Sequence, residues 1–206
     1  MIRKITTLII AVIALVSAGE ANAQFRYGPT VGVDFTNLHF KQDLFTVDQN
    51  TGFSAGVAAE MMFPGIGFGI DFGFMYEKRG AKLHLGEKPM WADKGYGEES
   101  ADLHYVVIPF HLRYKHTRLN GLEDYFAPLA YVGPSFGFLA GHSKLDAMSY
   151  AGGELGIDLG IGAEICRKWQ ITGGYTFGMT YATKAKILSD MSARNRVWSV
   201  KVAYLF

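Results

Sequence analysis

From Ile66 to Tyr76 every second residue is bulky and apolar: Ile66, Phe68, Ile70, Phe72, Phe74 and Tyr76, set against Gly67, Gly69, Asp71, Gly73 and Glu77. A period of two is the signature of a β-strand with two chemically different faces. The same rhythm recurs along the chain. It is read in "FRYGPTVGVDF", "TGFSAGVAAEMMF", "LHYVVIPFHLRYKH", "GELGIDLGIGAEI", "WQITGGYTFGMTYA" and the closing "RVWSVKVAYLF". "YFAPLAYVGPSFGFLA" completes the set but alternates least clearly, and Pro128 and Pro134, each lacking a ladder donor, predict bulges there. The expectation is eight strands, and helical periodicity is scarce.

Side-chain volume decides which face points inward. The lumen of an eight-stranded barrel is just wide enough to be filled by side chains. The apolar face carries Phe, Tyr, Trp and Ile in nearly every strand, too much bulk for that space. The opposite face is Gly, Ala, Ser and Thr with single charges, and glycine is abundant at 25 residues. The rings therefore point outward, into lipid. A secreted lipocalin-like carrier, the soluble alternative, would need the reverse.

Connection lengths alternate. About 15 residues separate the first two strands, about 22 the third and fourth, and roughly ten each the fifth and sixth and the seventh and eighth. Between them lie the short turns "PG", "TRLNGLED" and "CRKW". An up-and-down transmembrane barrel has this rhythm, with long loops outside the cell and short turns in the periplasm. The fold class expected is all-β, an eight-stranded antiparallel up-and-down transmembrane β-barrel. Both termini then sit at the periplasmic rim.

The N-terminus is read separately. "MIRK", the apolar run "ITTLIIAVIALVSAG" and the small-x-small Ala21-Asn22-Ala23 make residues 1–23 a cleaved secretory signal peptide, leaving 24–206 as one barrel domain. Past that region no apolar run is long enough for a membrane helix. An exported strand-built chain must then be soluble or a closed barrel. A net charge of +1 leaves no electrostatic footprint for nucleic acid. The single Cys166 cannot form an internal disulfide.

The last strand sets Trp198, Val200, Val202, Tyr204 and Phe206 on one face. Eight residue steps at a tilt near 40° rise roughly 20 Å, which puts Trp198 near one membrane interface and Tyr204 and Phe206 near the other. A terminal Phe206 with Tyr204 and apolar alternate positions resembles the signal read by the outer-membrane barrel assembly machinery. "HYVVIPFHLRYKH" and "YFAPLAYVGPSFGFLAGHS", with a Y-x-x-I-P strand before a G-P-x-x-G strand, resemble the PorT-like outer-membrane β-barrel family of the Bacteroidetes group. The resemblance implies an outer-membrane barrel and brings no catalytic motif; the secretion role of the family's namesake is not carried over.

Twelve ionisable residues are assigned to the inward face: Arg26, Asp34, Glu60, Asp71, Glu77, His111, Arg113, Lys115, Glu154, Asp158, Glu164 and Lys201. Buried charges are costly unless paired, so a salt-bridge network plugging the lumen is expected, with a selectivity-lined channel as the competing reading. "GHSKLD", holding His142, Ser143 and Asp146, supplies the residue types of a lipid-modifying hydrolase. Adjacent residues on a strand point to opposite faces, however. His39, His84, His104 and His142 lack metal-ligand spacing. "GFGIDFG" and "GELGIDLGIG" lack the helix that a phosphate loop needs. No catalytic, cofactor or metal residue is assigned. The expected partners are outer-membrane lipid, the assembly machinery during insertion, and an extracellular ligand or envelope protein met by the outer loops. Of these the second loop is the most promising, with Pro89, Trp91, Tyr96, Glu98, Glu99 and Asp102. The alternative functions are a small lipid-modifying enzyme or a narrow transporter of small apolar molecules.

Overall fold

A computed structural model describes residues 24–206 apart from 41–45, 64, 85, 87–96, 117–120, 144–147 and 186–191. The signal-peptide reading of residues 1–23 lies outside the described residues, as do Pro89, Trp91, Tyr96 and Asp146. Eight long antiparallel strands form the wall: β1 (Gln24–Phe40), β2 (Val47–Met62), β3 (Phe68–His84), β4 (Glu98–Lys115), β5 (Phe126–His142), β7 (Gly153–Ile165), β8 (Trp169–Gly178) and β10 (Ser192–Tyr204). Two short strands, β6 (Met148–Tyr150) and β9 (Thr183–Ala185), continue it at the loop end, where β9 pairs with β10 and β6 with β9. Each long strand pairs with the next, and β1 pairs with β10 from Thr30↔Ala203 to Phe40↔Ala193. The eight long strands form a closed barrel. Phe206 extends the seam beyond β10, its amide donating to the Tyr27 carbonyl at 2.9 Å.

Strands β1 to β5 run 16 to 18 residues, longer than the roughly 9–11 that cross a bilayer. Much of what the sequence assigns to loops is therefore wall. Asn37–Phe40, Arg79–His84 and Glu98–Ala101 are strand, and the acidic Glu98, Glu99 and Asp102 stand on β4 rather than on a loop.

The proline bulges expected in β5 are absent. Phe126–Phe138 pairs with β7 in unbroken register, and both prolines point outward. A strand residue donates to only one neighbour, so a proline removes one bond; the Pro128 carbonyl still accepts from His116 at 2.9 Å. The register shift against β4 falls instead between His104 and Tyr105, opposite the stretch from Leu139 to Gly141.

At the turn end, β7 and β8 are joined through Cys166 and Arg167, both at positive φ (51° and 59°), with the Lys168 amide donating to the Ile165 carbonyl at 3.2 Å. Two left-handed central residues make a type I′ turn, whose twist matches that of the strands it joins.

The outward face is apolar over a continuous band. Val31, Phe74 and Ile161 are 59, 60 and 72 % exposed, among more than thirty large hydrophobics turned outward. No water-soluble surface carries so much contiguous apolar area. Rings gather at its two margins. Trp169–Tyr204, Tyr27–Phe206 and Phe68–Tyr114 meet near the turn end, and Tyr175–Trp198 and Phe53–Tyr76 nearer the loop end.

Candidate functional site

Beyond the second margin the two faces exchange chemistry without changing parity. On β1 the outward residues are Tyr27, Val31, Val33 and Phe35, then Asn37 and His39, while Leu38 and Phe40 are buried inside. On β3 outward Phe68–Tyr76 give way to Lys78 and Lys82, with Ala81 and Leu83 inside; on β4 Leu103, Tyr105 and Val107 turn inward. These inward residues pack with Met148, Ala182 and Ala193 into an apolar cluster.

The lumen below that cluster is charged. Glu60 on β2 accepts from Arg26 (Nε, 2.8 Å), Arg113 (2.7 Å), Lys115 (2.9 Å) and Gln170 (2.7 Å). Lys115 also donates to Glu164 at 2.7 Å, Arg26 pairs with Glu164, and Arg113 Nε donates to Asp71 at 2.6 Å. Arg26, Arg113 and Lys115 thus balance Glu60, Asp71 and Glu164. That neutrality offsets the desolvation of charges drawn from strands far apart in sequence.

Midway, His111 Nε2 lies 3.0 Å from Asp158, the Ser135 hydroxyl donates to the same carboxylate at 2.8 Å, and Tyr131 stacks on His111 at 4.8 Å. A Cβ on Gly160 or Gly174 would strike the Tyr131 ring or hydroxyl, so these glycines make room for the one large ring laid across the middle of the lumen. Nearer the loop end Glu77 accepts from Arg79 (2.7 and 3.0 Å) and Lys201 (2.8 Å), and Glu154 binds Arg79 and Asn195. The Arg79 guanidinium lies 5.4 Å over Tyr105, where the ionic stack meets the apolar cluster. Asp34, fully buried, lies beside the Ser54 hydroxyl and near the Lys201 ammonium and the Glu77 carboxylate. A cavity of about 80 Å³ touches Asp71, His111, Tyr131, Asp158 and Lys201, space for a few waters. It is not a bore.

The model of a family described as the outer membrane protein beta-barrel domain matches residues 8–206. The chain belongs to that family.

As an outer membrane protein beta-barrel domain the molecule is an integral outer-membrane barrel, and its apolar band is the lipid-facing surface. It superposes on OprG from Pseudomonas aeruginosa with a TM-score of 0.53 at 13 % identity, covering 88 % of this chain and 95 % of that one. A major outer membrane protein from Thermus thermophilus gives 0.49 at 16 % identity, covering 86 % and 99 %. Ail, the attachment invasion locus protein of Yersinia pestis, gives 0.44 at 14 %, covering 89 % and 99 %. The likeness to OprG is one of fold. No curated protein matches the sequence.

Within the family fold, the two stretches that carry the PorT-like resemblance lie side by side: Ile108 opposes Phe136, Pro109 opposes Ser135, and Val107 opposes Gly137. A Cβ on Gly137 would fall 3.3 Å from the buried Tyr105 ring, a packing reason for the Tyr of one motif and the Gly of the other. Trp198, Val200 and Phe206 are exposed on the lipid face, with Val202 and Tyr204 half-buried beside them.

The histidines do not converge. His84 pairs with Asp48 at 2.9 Å, His104 Nδ1 meets the Tyr76 hydroxyl at 2.6 Å, and His142 stacks on Tyr150 at 4.2 Å. The Ser143 hydroxyl accepts from the Asp102 amide at 3.1 Å rather than meeting His142.

Sequence reading missed Arg79, Tyr131, Ser135, Gln170 and Asn195 as lumen residues. Carrying the period of two past Glu77 reaches Arg79, and running it back from Lys201 reaches Asn195. Gln170 sits one alternate position before Thr172. Tyr131 broke the rule that the inward face is small.

Proposed function

We propose that this barrel is a closed, non-enzymatic element of the outer membrane with a structural or surface-recognition role. Its lumen is plugged by the charged stack, its long-loop end is extracellular, and both termini are periplasmic. The carrying observation is the pairing of six charges around Glu60 and Glu164 beneath a packed apolar cluster. Partners on this reading are outer-membrane lipid, the barrel assembly machinery engaged through Trp198, Val200, Val202, Tyr204 and Phe206, and an extracellular ligand or envelope protein at the loops. Residues 1–23 act as the export signal. Membership of the PorT-like subgroup rests on the paired β4 and β5 motifs.

Refolded protein in planar bilayers is expected to show no reproducible single-channel conductance; steady openings would overturn the plug. Orientation has a native reporter, because Cys166 is exposed at the turn end. In intact cells a bulky maleimide should leave Cys166 unmodified and label a Ser149→Cys, Cys166→Ser variant; the opposite pattern reverses the orientation. An unchanged lipid A profile after substitution of His142 and Ser143 would count against the hydrolase alternative.

A further inference from the structure

Just beyond the lipid band the charges on the two sides of the barrel differ. On the β2–β3–β4 side the two outward lysines each have an acid, Lys78 with Asp102 at 3.1 Å and Lys82 with Glu98 at 3.9 Å. On the β8–β9–β10–β1 side Lys184, Arg194 and Arg196 are in no ion pair among the described residues. They rest on rings instead. Arg196 lies 3.3 Å over Phe177, Arg194 lies 5.0 Å over Tyr181, and Lys184 lies 5.7 Å over the same Tyr181. The Nη1 of Arg196 is buried and has no acceptor among the described residues, so the guanidinium would meet a ligand through its other nitrogens. The neighbouring strand adds Asn37 opposite Arg196 and His39 opposite Arg194, neither of them a carboxylate.

Height narrows the ligand. Phe35 and Trp198 face each other across the seam as its uppermost lipid-facing pair. Arg196 and Arg194 are one and two outward positions further along, roughly 5 and 10 Å above that pair at a 40° tilt. That is the headgroup layer. Two cations held at one ring add their positive potential, and aromatic faces hold cations without neutralising them.

We propose that this wall binds the phosphate groups of a phosphorylated glycolipid in the outer leaflet, with Arg194, Arg196 and Lys184 as the phosphate ligands and Trp198 and Phe35 against its acyl chains. The assignment of leaflet rests on the orientation proposed above; the phosphate chemistry rests on the unpaired cations.

The test uses refolded full-length barrel in neutral detergent micelles. Bis-phosphorylated lipid A and the same glycolipid stripped of phosphate are titrated and read by native mass spectrometry. Wild type should retain the phosphorylated form preferentially. Each single Gln substitution of Lys184, Arg194 or Arg196 should weaken retention about fivefold, and the triple variant about a hundredfold. Lys78→Gln with Lys82→Gln should change it less than about twofold. A heat-modifiability gel checks folding, and Arg194→Lys with Arg196→Lys should keep most of the binding if charge rather than wall structure is responsible.

Equal retention of both lipids, an unaffected triple variant, equal loss from the control wall, or full displacement of the lipid by inorganic phosphate would each overturn the site. Failure of the orientation reading shows separately, in whole-cell maleimide labelling. Reversed labelling with intact micelle binding would remove the outer-leaflet occupant, and normal labelling with absent binding would remove the site alone.

Discussion

Between the turn end and the level of Glu77 the lumen is filled by charge; from Tyr105 to Leu83 it is filled by carbon. The outward face does the reverse, with Phe68 to Tyr76 against lipid and then Lys78 and Lys82. One closed wall is thus built as a membrane protein over one part of its height and as a water-soluble protein over the rest. The medium outside decides which. Against hydrocarbon the polar groups must be satisfied within the barrel, so they gather inside as neutral clusters. Against water the usual sorting returns and apolar side chains supply the interior.

The sharpest way to break the charged half is Glu60→Ala. It strips an acceptor from Arg26, Arg113, Lys115 and Gln170 at once, and losing one partner of a buried ionic cluster costs about 3–5 kcal/mol. The folded band in heat-modifiability gels should vanish at markedly lower urea, and Glu60→Gln, which keeps the side-chain volume and one of the two acceptor oxygens, should lose less. In the apolar half Leu103→Ala removes a fully buried side chain; the expected loss sits toward the low end of the roughly 2–5 kcal/mol for such cavities, because water can enter from the nearby loop end. If Leu103→Ala cost more than Glu60→Ala, the charged stack would not be the main structural element of the lumen.

Gly174→Ala tests the middle of the charged half. The new methyl strikes the Tyr131 hydroxyl, and overpacking of this kind costs about 1–3 kcal/mol. Adding Tyr131→Phe should restore much of the loss in urea titrations; no recovery would mean that Tyr131 does not set the space at Gly174. Last, Asp102→Asn breaks the half-exposed Lys78 pair on the water side and should shift the midpoint by under about 1 kcal/mol. A loss as large as that of Glu60→Ala would contradict the division between a buried charged interior and an exposed charged exterior.

The exchange of faces was already legible. On β1 the apolar residues change parity after Phe35, passing to Leu38 and Phe40; on β4 they pass from Ile108 to Val107 and Tyr105. Read as one uninterrupted pattern, those stretches looked like loops, so the wall seemed shorter than it is and Arg79 and Asn195 were lost from the lumen. Pro128 and Pro134 misled in the other direction. A missing donor reads as a break, but on a strand bonded on both sides the remaining bonds hold the register.

Which residues face lipid, how many long strands cross, and that the last one closes on the first are consequences of a backbone whose side chains alternate every residue, a strictly local property. Which acid meets which base is not local. Gln170 lies 110 residues from its partner Glu60, and Arg26 lies 138 from Glu164. Only barrel closure and strand register bring them to one height in the lumen, and the same register sets three cations over two rings with no ion pair among the described residues.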